Sequence, residues 1–456
     1  MQRTAVINVV GLTSSLMGTD TPCIQVYAAR CQTSSFRPAF PAVTCTAQSD
    51  FVTGKPPAEH GIVGNGWYER DYSEVRFWKQ SESIVDSPKI WDALKESNPS
   101  FTCAKIFWWY NMYSSTDYSI TPRPMYPADG RKVFDIYTGP MEMREEIKKD
   151  LGEFPFPSFW GPRADIQSSL WIAASAKWID TKHSPTLSLV YLPHLDYNLQ
   201  RLGPSHPDIG KDLRAIDAVV GDLIDYYEQR SIKVVLLSEY GITDVDNPIH
   251  INRILRKKGW ITIKEELGLE QLDCGASKAF AIADHQVAHV YLNDPSKMDA
   301  VRALLESLPG VSHVLDKKAQ STAGICHRRA GDLIVVADER SWFTYYYWLD
   351  DAYAPDFARC VDIHRKVGYD PVELLLNPKL KFPTGHIMKF LLKKKLGFRA
   401  LLDVIPLDAT LVKGSHGRVP EKKSDWPIFI SPIHDTRPTQ STDVYHCLKR
   451  LVQSDD

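Results

Sequence analysis

The residues best suited to chemistry lie in an early segment, FPAVTCTAQSDFVTG at residues 40–54. In this segment Thr44 stands where a loop gives way to a predicted helix. The first turn of a helix has free N–H groups and a partial positive charge, so it attracts anions, phosphate above all. A hydroxyl at that end can attack a phosphorus atom while backbone amides hold the negative oxygens. The alternative is that Thr44 only caps an ordinary helix.

The residues that follow occur in an order that resembles a known protein family. After the FPxxT pattern ending at Thr44 come a Thr-Gly pair, a proline turn and the sequence HGIVGN at residues 60–65. This order resembles the nucleophile segment of the nucleotide pyrophosphatase/phosphodiesterase branch of the alkaline phosphatase superfamily. The resemblance implies that Thr44 is the nucleophile and that Asn65 assists its backbone amide in binding a phosphoryl oxygen. His60 is interpreted as a structural residue that forms hydrogen bonds within its turn.

Later segments extend the resemblance over nearly the whole chain. The sequences AKIFWW at residues 104–109 and RPMY at residues 123–126 resemble the cap segment that contacts the leaving group in this family. The resemblance implies four substrate-binding residues, Trp108, Trp109, Arg123 and Tyr126. For the two tryptophans, and for the aromatic run WFTYYYW at residues 342–348, the alternative is an ordinary place in the hydrophobic core.

The metal-binding segments are where this sequence departs from the family, which binds two divalent ions. The family's first ligand is an Asp at the end of the first strand, and Val10 stands there in this chain. The next segment, at residues 191–204, keeps Asp196 but has Gln200 in the place of a His. Two of the family's ligands are therefore already missing.

Two further segments supply the remaining candidates. In the sequence SEYG at residues 238–241, Glu239 and Tyr240 replace the family's Asp and His, so a carboxylate remains and an imidazole is lost. The sequence GSHG at residues 414–417 keeps the late histidine as His416. Tyr240 is the candidate for protonating the leaving group, with His416 as the alternative if it holds no ion. The predicted metal ligands are Asp196, Gln200, Glu239 and His416.

The chemistry of these ligands favours a hard cation. Zinc prefers His and Cys together with carboxylate, whereas Mg²⁺ and Mn²⁺ prefer oxygen. The predicted set is rich in oxygen, so the expected cofactor is one divalent ion, Mg²⁺ or Mn²⁺ rather than Zn²⁺. We expect it to bind more weakly than ions in a two-zinc centre.

Other histidines offer weaker candidates. His285 and His289 are predicted to lie on one face of a strand, where they could replace lost ligands or simply form a strand edge. His364 belongs to a polar cluster in which Arg365 and Lys366 could bind an anionic substrate. His194 is expected to point away from Asp196.

The alternation of apolar strands with amphipathic helices predicts an α/β fold, with a mainly parallel central sheet covered by helices on both faces. Because ligands bind at the carboxyl ends of strands in such sheets, Thr44, Asp196 and Glu239 are expected to converge there. The predicted core comprises residues 1–65, 161–344 and 410–456. Residues 66–160 are predicted to form an inserted cap, and residues 345–409 a second irregular insertion.

Composition and charge limit the classes of partner that this chain is expected to bind. A formal net charge of −2 gives no case for binding a nucleic acid polymer. No apolar run reaches the roughly 18 residues that a membrane span requires. The run LLKKKL at residues 391–396 is interpreted as a solvated helix face rather than a membrane patch. Eight cysteines without metal or CxxC spacing are typical of free thiols, so a cytoplasmic location is expected.

These observations predict a hydrolase of a phosphodiester, a diphosphate or a phosphate monoester, acting on a small molecule through a threonine nucleophile with divalent-metal assistance. Two alternatives remain open at this stage. One is a diphosphate-binding transferase or isoprenoid cyclase on the same scaffold. The other is a protein that binds phosphate or a nucleotide without turnover. The sequence indicates no oligomeric state.

Overall fold

Short apolar segments form the strands of this protein, and longer amphipathic segments form its helices. The computed structural model describes residues 1–128, 131–398 and 400–454. The strands are β1 Thr4–Val9, β2 Gln32–Ser35, β3 Gly66–Glu69, β4 Glu74–Phe77, β5 Cys103–Ile106, β6 Tyr118–Pro122, β7 Ile136–Gly139, β8 Leu187–Leu192, β9 Lys233–Leu237, β10 Thr243–Asp244, β11 Asn247–Ile249, β12 Thr262–Glu266, β13 Leu269–Asp273, β14 Ala279–Asp284, β15 Val287–Leu292, β16 Val311–Leu315, β17 Leu333–Ala337, β18 Ser341–Phe343, β19 Gly414–Ser415 and β20 Ile428–Ser431. The helices are α1 Pro22–Ala29, α2 Thr44–Thr53, α3 Pro57–His60, α4 Ile90–Ser97, α5 Met143–Leu151, α6 Ile166–His183, α7 His194–Leu202, α8 Ile209–Glu228, α9 Ile251–Lys257, α10 Met298–Glu306, α11 Lys317–Thr322, α12 Pro383–Lys395 and α13 Asp443–Gln453.

Eight strands form the main sheet, in the order β2-β20-β9-β1-β8-β5-β6-β7. The five central strands, from β9 to β6, run parallel to their neighbours, and the outer pairings are antiparallel. At the centre, Val6 of β1 pairs with Leu189 of β8 on one side and with Val235 of β9 on the other. The prediction of a mainly parallel sheet is confirmed.

Helices cover both faces of this sheet because successive side chains of a buried strand point in opposite directions. Ile7 belongs to the apolar cluster formed with α1, α6 and α8. Its neighbour Val6 belongs to the cluster formed with α2, α4 and α13. Burial on both faces explains why the central strands read as continuous apolar runs.

The polypeptide leaves β8 and β9 at the same edge of the sheet. Helix α7 begins directly after β8, with Asp196 in its first turn. Glu239 lies just beyond the end of β9. Because parallel strands present their carboxyl ends together, these acids meet as expected, next to the start of α2.

A second, antiparallel sheet of four strands, in the order β14-β15-β17-β16, packs into another apolar cluster. The aromatic run at residues 342–348 is buried in this cluster, which confirms its place in the core. None of the helices that the structure describes is long and apolar enough to cross a membrane.

The segment predicted to be a cap, residues 66–160, also contributes to the main sheet. Its strands β5, β6 and β7 extend that sheet beyond β8. The segment is therefore not purely a cap, because β5 pairs with β8 in the parallel core. The division of the chain into a core and two insertions otherwise stays a prediction.

A buried polar chain fixes helix α2. The side chain of Asp50 accepts a hydrogen bond from Ser441 and lies 2.8 Å from Nε2 of His60. Nδ1 of His60 accepts a hydrogen bond of 3.0 Å from the amide of Ile62. Burial raises the pKa of Asp50, and its bonds with His60 and Ser441 oppose that rise. His60 is thus structural, as the sequence indicated.

The substitution His60→Ala should lower the free energy of unfolding by about 3 kcal/mol, because it leaves a buried carboxyl group short of a partner. Urea unfolding followed by circular dichroism measures this change. The control His313→Ala alters an exposed histidine and should stay within about 0.5 kcal/mol of the unmodified protein. Equal urea midpoints for the two variants would contradict the assignment.

Candidate active site

Thr44 is the first residue of α2, and the extended backbone of Val43 (φ −132°, ψ 156°) starts the helix there. Its side chain is largely enclosed, since Thr44 is only 4% exposed. The Oγ1 atom of Thr44 lies 3.1 Å from the hydroxyl of Tyr240. The predicted nucleophile is therefore at a helix N-terminus, but in a closed site.

Asn65 lies beside the first turn of α2. Its Oδ1 accepts a hydrogen bond of 3.1 Å from the amide of Cys45. Asp284, at the end of β14, accepts bonds from the Asn65 amide at 2.7 Å and from Nδ2 at 3.1 Å. Because Nδ2 carries two hydrogens, one is still available to a phosphoryl oxygen. Asp284 thus orients Asn65, a role that the sequence did not reveal.

The hydroxyl of Tyr240 joins Thr44 to a carboxylate. It donates a hydrogen bond of 3.2 Å to Oδ1 of Asp196. A tyrosine has one hydroxyl proton, so Thr44 is then the donor in its own bond with Tyr240. The other oxygen of Asp196 accepts a bond of 2.7 Å from Nε2 of Gln200.

Four stacked rings support this chain. The ring of Tyr240 lies flat on that of His416, with centroids 3.7 Å apart. His416 contacts His285 at 3.6 Å, and His285 stacks on Tyr369 at 3.7 Å. The hydroxyl of Tyr369 donates to Oε1 of Gln200 at 3.0 Å, so the stack closes back onto the carboxylate chain.

Glu239 is held by amides rather than by cations. Its Oε1 accepts bonds of 2.5 Å from Asn8 and from Gln48. Gln48 in turn accepts a bond of 2.7 Å from the backbone N–H of Trp109. Oε2 of Glu239 has no hydrogen-bond partner among the described residues. Gln48 lies four residues after Thr44 on one helix, a spacing that could have indicated its place in the site.

Burial dominates the electrostatics of these groups. It raises the pKa of Asp196 to about 7, that of Asp284 to about 7 and that of Glu239 to about 8. Hydrogen bonds from Gln200 and Tyr240 oppose the rise at Asp196. Burial also lowers the pKa of His416 to about 3, so this imidazole is neutral near pH 7.

Of the other histidines that the sequence singled out, His285 lies in the site, whereas His289 and His194 lie outside it. The interpretation that His285 and His289 share a strand face was wrong, because His285 lies in the turn between β14 and β15 with a φ of 61°. His289 bonds to Val63 O at 2.9 Å and accepts from Gly331, so it is structural. His194 lies 3.2 Å from Asp212, away from the site.

The polar cluster of His364, Arg365 and Lys366, in which two cations were expected to bind an anionic substrate, forms internal ion pairs in the structure. Lys366 is buried between Asp370 and Glu373, with its Nζ 2.7 Å from a carboxylate oxygen of each. Its charge is therefore already neutralised, and the expectation that it binds substrate was wrong. Arg365 lies 3.4 Å from Asp356.

The four predicted substrate-binding residues fall into two groups. The backbone N–H of Trp109 donates a hydrogen bond to Gln48, which in turn bonds to Glu239. Trp108 is buried in the apolar cluster around α2 and α4. Arg123 and Tyr126 are exposed and lie near the second insertion. A substrate role for these residues stays a prediction.

Comparison with known proteins agrees with this arrangement. A family model described as type I phosphodiesterase / nucleotide pyrophosphatase matches residues 4–370. The chain belongs to this family. It is 23% identical over 242 residues to an uncharacterised pyrophosphatase/phosphodiesterase of Schizosaccharomyces pombe, and 23% identical over 227 residues to ectonucleotide pyrophosphatase/phosphodiesterase 2 of Saccharomyces cerevisiae. The matches cover 42% and 39% of those two proteins, less than half of either.

Solved structures show the same fold for this phosphodiesterase-family chain. Murine ectonucleotide pyrophosphatase/phosphodiesterase 5, in an inactive form with AMP, has a TM-score of 0.60 at 15% identity. The comparison covers 99% of this chain and 95% of that one. Phosphonoacetate hydrolase from Sinorhizobium meliloti, with phosphonoacetate, has a TM-score of 0.64 at 13% identity and covers 99% and 96%.

Proteins of this family generally depend on divalent metal ions, but the residues of this chain do not fit a two-ion centre. The hydroxyl of Tyr240 stands between Thr44 and Asp196. Both oxygens of Asp196 already accept hydrogen bonds. Within residues 1–128, 131–398 and 400–454, there is no group of three or more His, Cys, Asp or Glu residues that could hold an ion.

The substitution Glu239→Gln tests the electrostatics of the site, because it keeps the shape of the side chain and removes its titration. The raised folded pKa means that the folded chain holds a proton between the ordinary glutamate pKa and about 8. The free energy of unfolding should therefore fall as pH rises through that window, by up to about 1.4 kcal/mol per pH unit. The variant should lose this component.

Urea unfolding at several pH values in this window measures how the free energy of unfolding changes with pH, both for the unmodified protein and for Glu239→Gln. The control Glu96→Gln changes an exposed glutamate of α4 and should keep the slope of the unmodified protein. If Glu239→Gln also kept that slope, Glu239 would not be protonated in the fold.

Proposed function

We propose that this chain is a phosphoric ester hydrolase that cleaves a phosphodiester, a diphosphate or a phosphate monoester through Thr44. The observation that carries the proposal is the chain of hydrogen bonds from Thr44 through Tyr240 to Asp196, at the N-terminus of α2. Membership of the phosphodiesterase family supports the same reaction class.

The proposed first step uses only these residues. Oγ1 of Thr44 forms a bond to phosphorus while the bond from phosphorus to the leaving oxygen breaks. The proton of Thr44 passes to the oxygen of Tyr240, whose own proton passes to Asp196. The leaving oxygen then takes a proton back through Tyr240. Asn65 and the first-turn amides of α2 stabilise the charge on the phosphoryl oxygens.

The second step returns the enzyme to its starting state. A water molecule attacks the phosphorus of the phosphothreonine and gives its proton to the same chain. The bond to Thr44 breaks, and Oγ1 regains a proton through Tyr240. A raised pKa suits Asp196 to both directions of transfer, since a group that titrates near the working pH can accept and donate.

A protein that binds phosphate without turnover is the second candidate. The enclosure of Thr44 favours it, because a residue that is 4% exposed must be uncovered before a substrate reaches it. Binding of inorganic phosphate in a calorimeter, without turnover of any tested ester, would support this candidate over the first.

The substitution Thr44→Ala should lower the turnover of an aryl phosphodiester by at least about 10³-fold, because it removes the attacking oxygen. Thr44→Ser keeps a hydroxyl and should retain measurable activity. The release of the coloured alcohol gives the rate, and circular dichroism checks folding. The control Thr322→Ala changes an exposed residue of α11 and should leave the rate unchanged. Full activity in Thr44→Ala would remove the mechanism.

For the cofactor, we propose that any divalent ion taken up by this site is Mg²⁺ or Mn²⁺ rather than Zn²⁺. Asp196, Glu239 and Gln200 offer oxygen donors, which suit hard cations. The proposed steps above do not use the ion.

Metal analysis of protein purified without added metal tests this proposal. We expect no tightly held zinc, and we expect a chelator to leave the thermal midpoint unchanged, because both oxygens of Asp196 and Oε1 of Glu239 already accept hydrogen bonds. The Thr44→Ala variant should likewise hold no zinc and keep its thermal midpoint when the chelator is added. Two zinc ions per chain, or a large drop in the midpoint with the chelator, would show that the site is a metal centre.

A further inference from the structure

The second insertion contains a long basic segment without acids. Between Glu373 and Asp403 there is no Asp or Glu. The same segment contains seven basic residues in a chain whose formal net charge is −2. These residues are Lys379, Lys381, Lys389, Lys393, Lys394, Lys395 and Arg399. Such a cluster attracts an anionic partner.

This segment also exposes large apolar side chains. Seven of them are between 53% and 81% exposed, which is unusual for neighbouring residues on a soluble surface. They are Phe382, Met388, Leu391, Leu392, Leu396, Phe398 and Leu401. We call them, together with the exposed lysines Lys379, Lys381, Lys389, Lys393 and Lys395, the basic apolar patch.

Helix α12 lies within this patch. Met388, Leu391 and Leu392 are spaced at i, i+3 and i+4, so they project from one side of the helix. Ile387, on the preceding turn, packs on the apolar cluster of the second sheet. The helix is therefore attached to the protein through Ile387, while Met388, Leu391 and Leu392 remain exposed.

Polar contacts fix the ends of the segment. Nε2 of His386 lies 2.6 Å from Oδ1 of Asp403, and the amide of Asn377 donates a bond of 2.8 Å to Val404 O. Leu375, Leu380 and Leu402 pack on the same cluster as Ile387. The exposed leucines thus belong to a held element and not to a loose end of the chain.

We infer that the basic apolar patch docks this protein on an anionic membrane surface, with α12 lying in the interface. A helix with exposed methionine and leucine side chains and lysines beside them is typical of interfacial binding, because apolar groups enter the acyl boundary while lysines contact lipid phosphates. The interpretation of residues 391–396 as a solvated helix face is the alternative that the experiment below tests. The inference does not depend on turnover at Thr44.

Charge argues against a second copy of the chain as the occupant. Pairing this face with itself would bring two clusters of exposed lysines together, and like charges placed opposite each other are destabilising. An anionic lipid surface satisfies both the apolar and the basic parts of the patch.

Flotation of the full-length chain with vesicles tests the inference. Vesicles of phosphatidylcholine and phosphatidylglycerol should bind the protein about 100-fold more tightly than vesicles of phosphatidylcholine alone, because several lysines contribute near a charged surface. Added salt should weaken that binding.

Paired variants separate the two parts of the patch. Leu391→Glu with Leu392→Glu should lower binding to the anionic vesicles by at least about 100-fold. Neutralising Lys389, Lys393 and Lys395 to Gln should lower it by about 100-fold. The matched control, Leu170→Glu with Leu267→Glu, changes two exposed leucines elsewhere and should bind as the unmodified protein does.

Four results would overturn the inference. They are a lack of binding to anionic vesicles, equal binding to both vesicle types, unchanged binding by the patch variants, and equal loss in the control. Light scattering identifies the remaining alternative. A dimer that becomes a monomer in Leu391→Glu with Leu392→Glu, with no vesicle binding, would assign the patch to self-association.

Discussion

The hydrogen bond between Tyr240 and Asp196 is the constraint on which the site depends. It places a neutral hydroxyl between Thr44, the proposed nucleophile, and a buried carboxylate. A buried carboxyl group needs either an opposite charge or several hydrogen-bond donors. This chain supplies donors, which oppose the rise that burial causes in the pKa values of Asp196 and Glu239.

The residues at the family's ligand positions act together in this structure. Gln200 bonds to Asp196, and Tyr240 contributes both its hydroxyl and its ring. Val10 is buried and adds no polar group. Gln200 and Tyr240, at two positions where the resemblance to the family implies metal ligands, each donate a hydrogen bond to Asp196. Hydrogen bonds, rather than contacts with a metal ion, therefore stabilise the buried carboxyl group of Asp196.

Residues 345–409, the predicted second insertion, contribute to two parts of the molecule. Tyr369 closes the ring stack and holds Gln200, so the insertion completes the enclosed site. Farther along the same insertion, α12 presents leucines and lysines outward. One segment thus combines a buried end that orders the site with an exposed face of strongly positive character.

The α/β fold and the position of Thr44 at a helix start follow from the sequence alone. The resemblance to the family implied that Asn65 lies beside Thr44 and that Val10, Gln200 and Tyr240 stand at ligand positions. The first two features are local, because strand and helix periodicity involve residues close together in the chain. The tertiary structure was needed to place His285 in the site and His289 outside it. It also decided that Tyr369 closes the stack and that Thr44 is enclosed. Those facts depend on contacts between residues far apart in the chain, which no local spacing records.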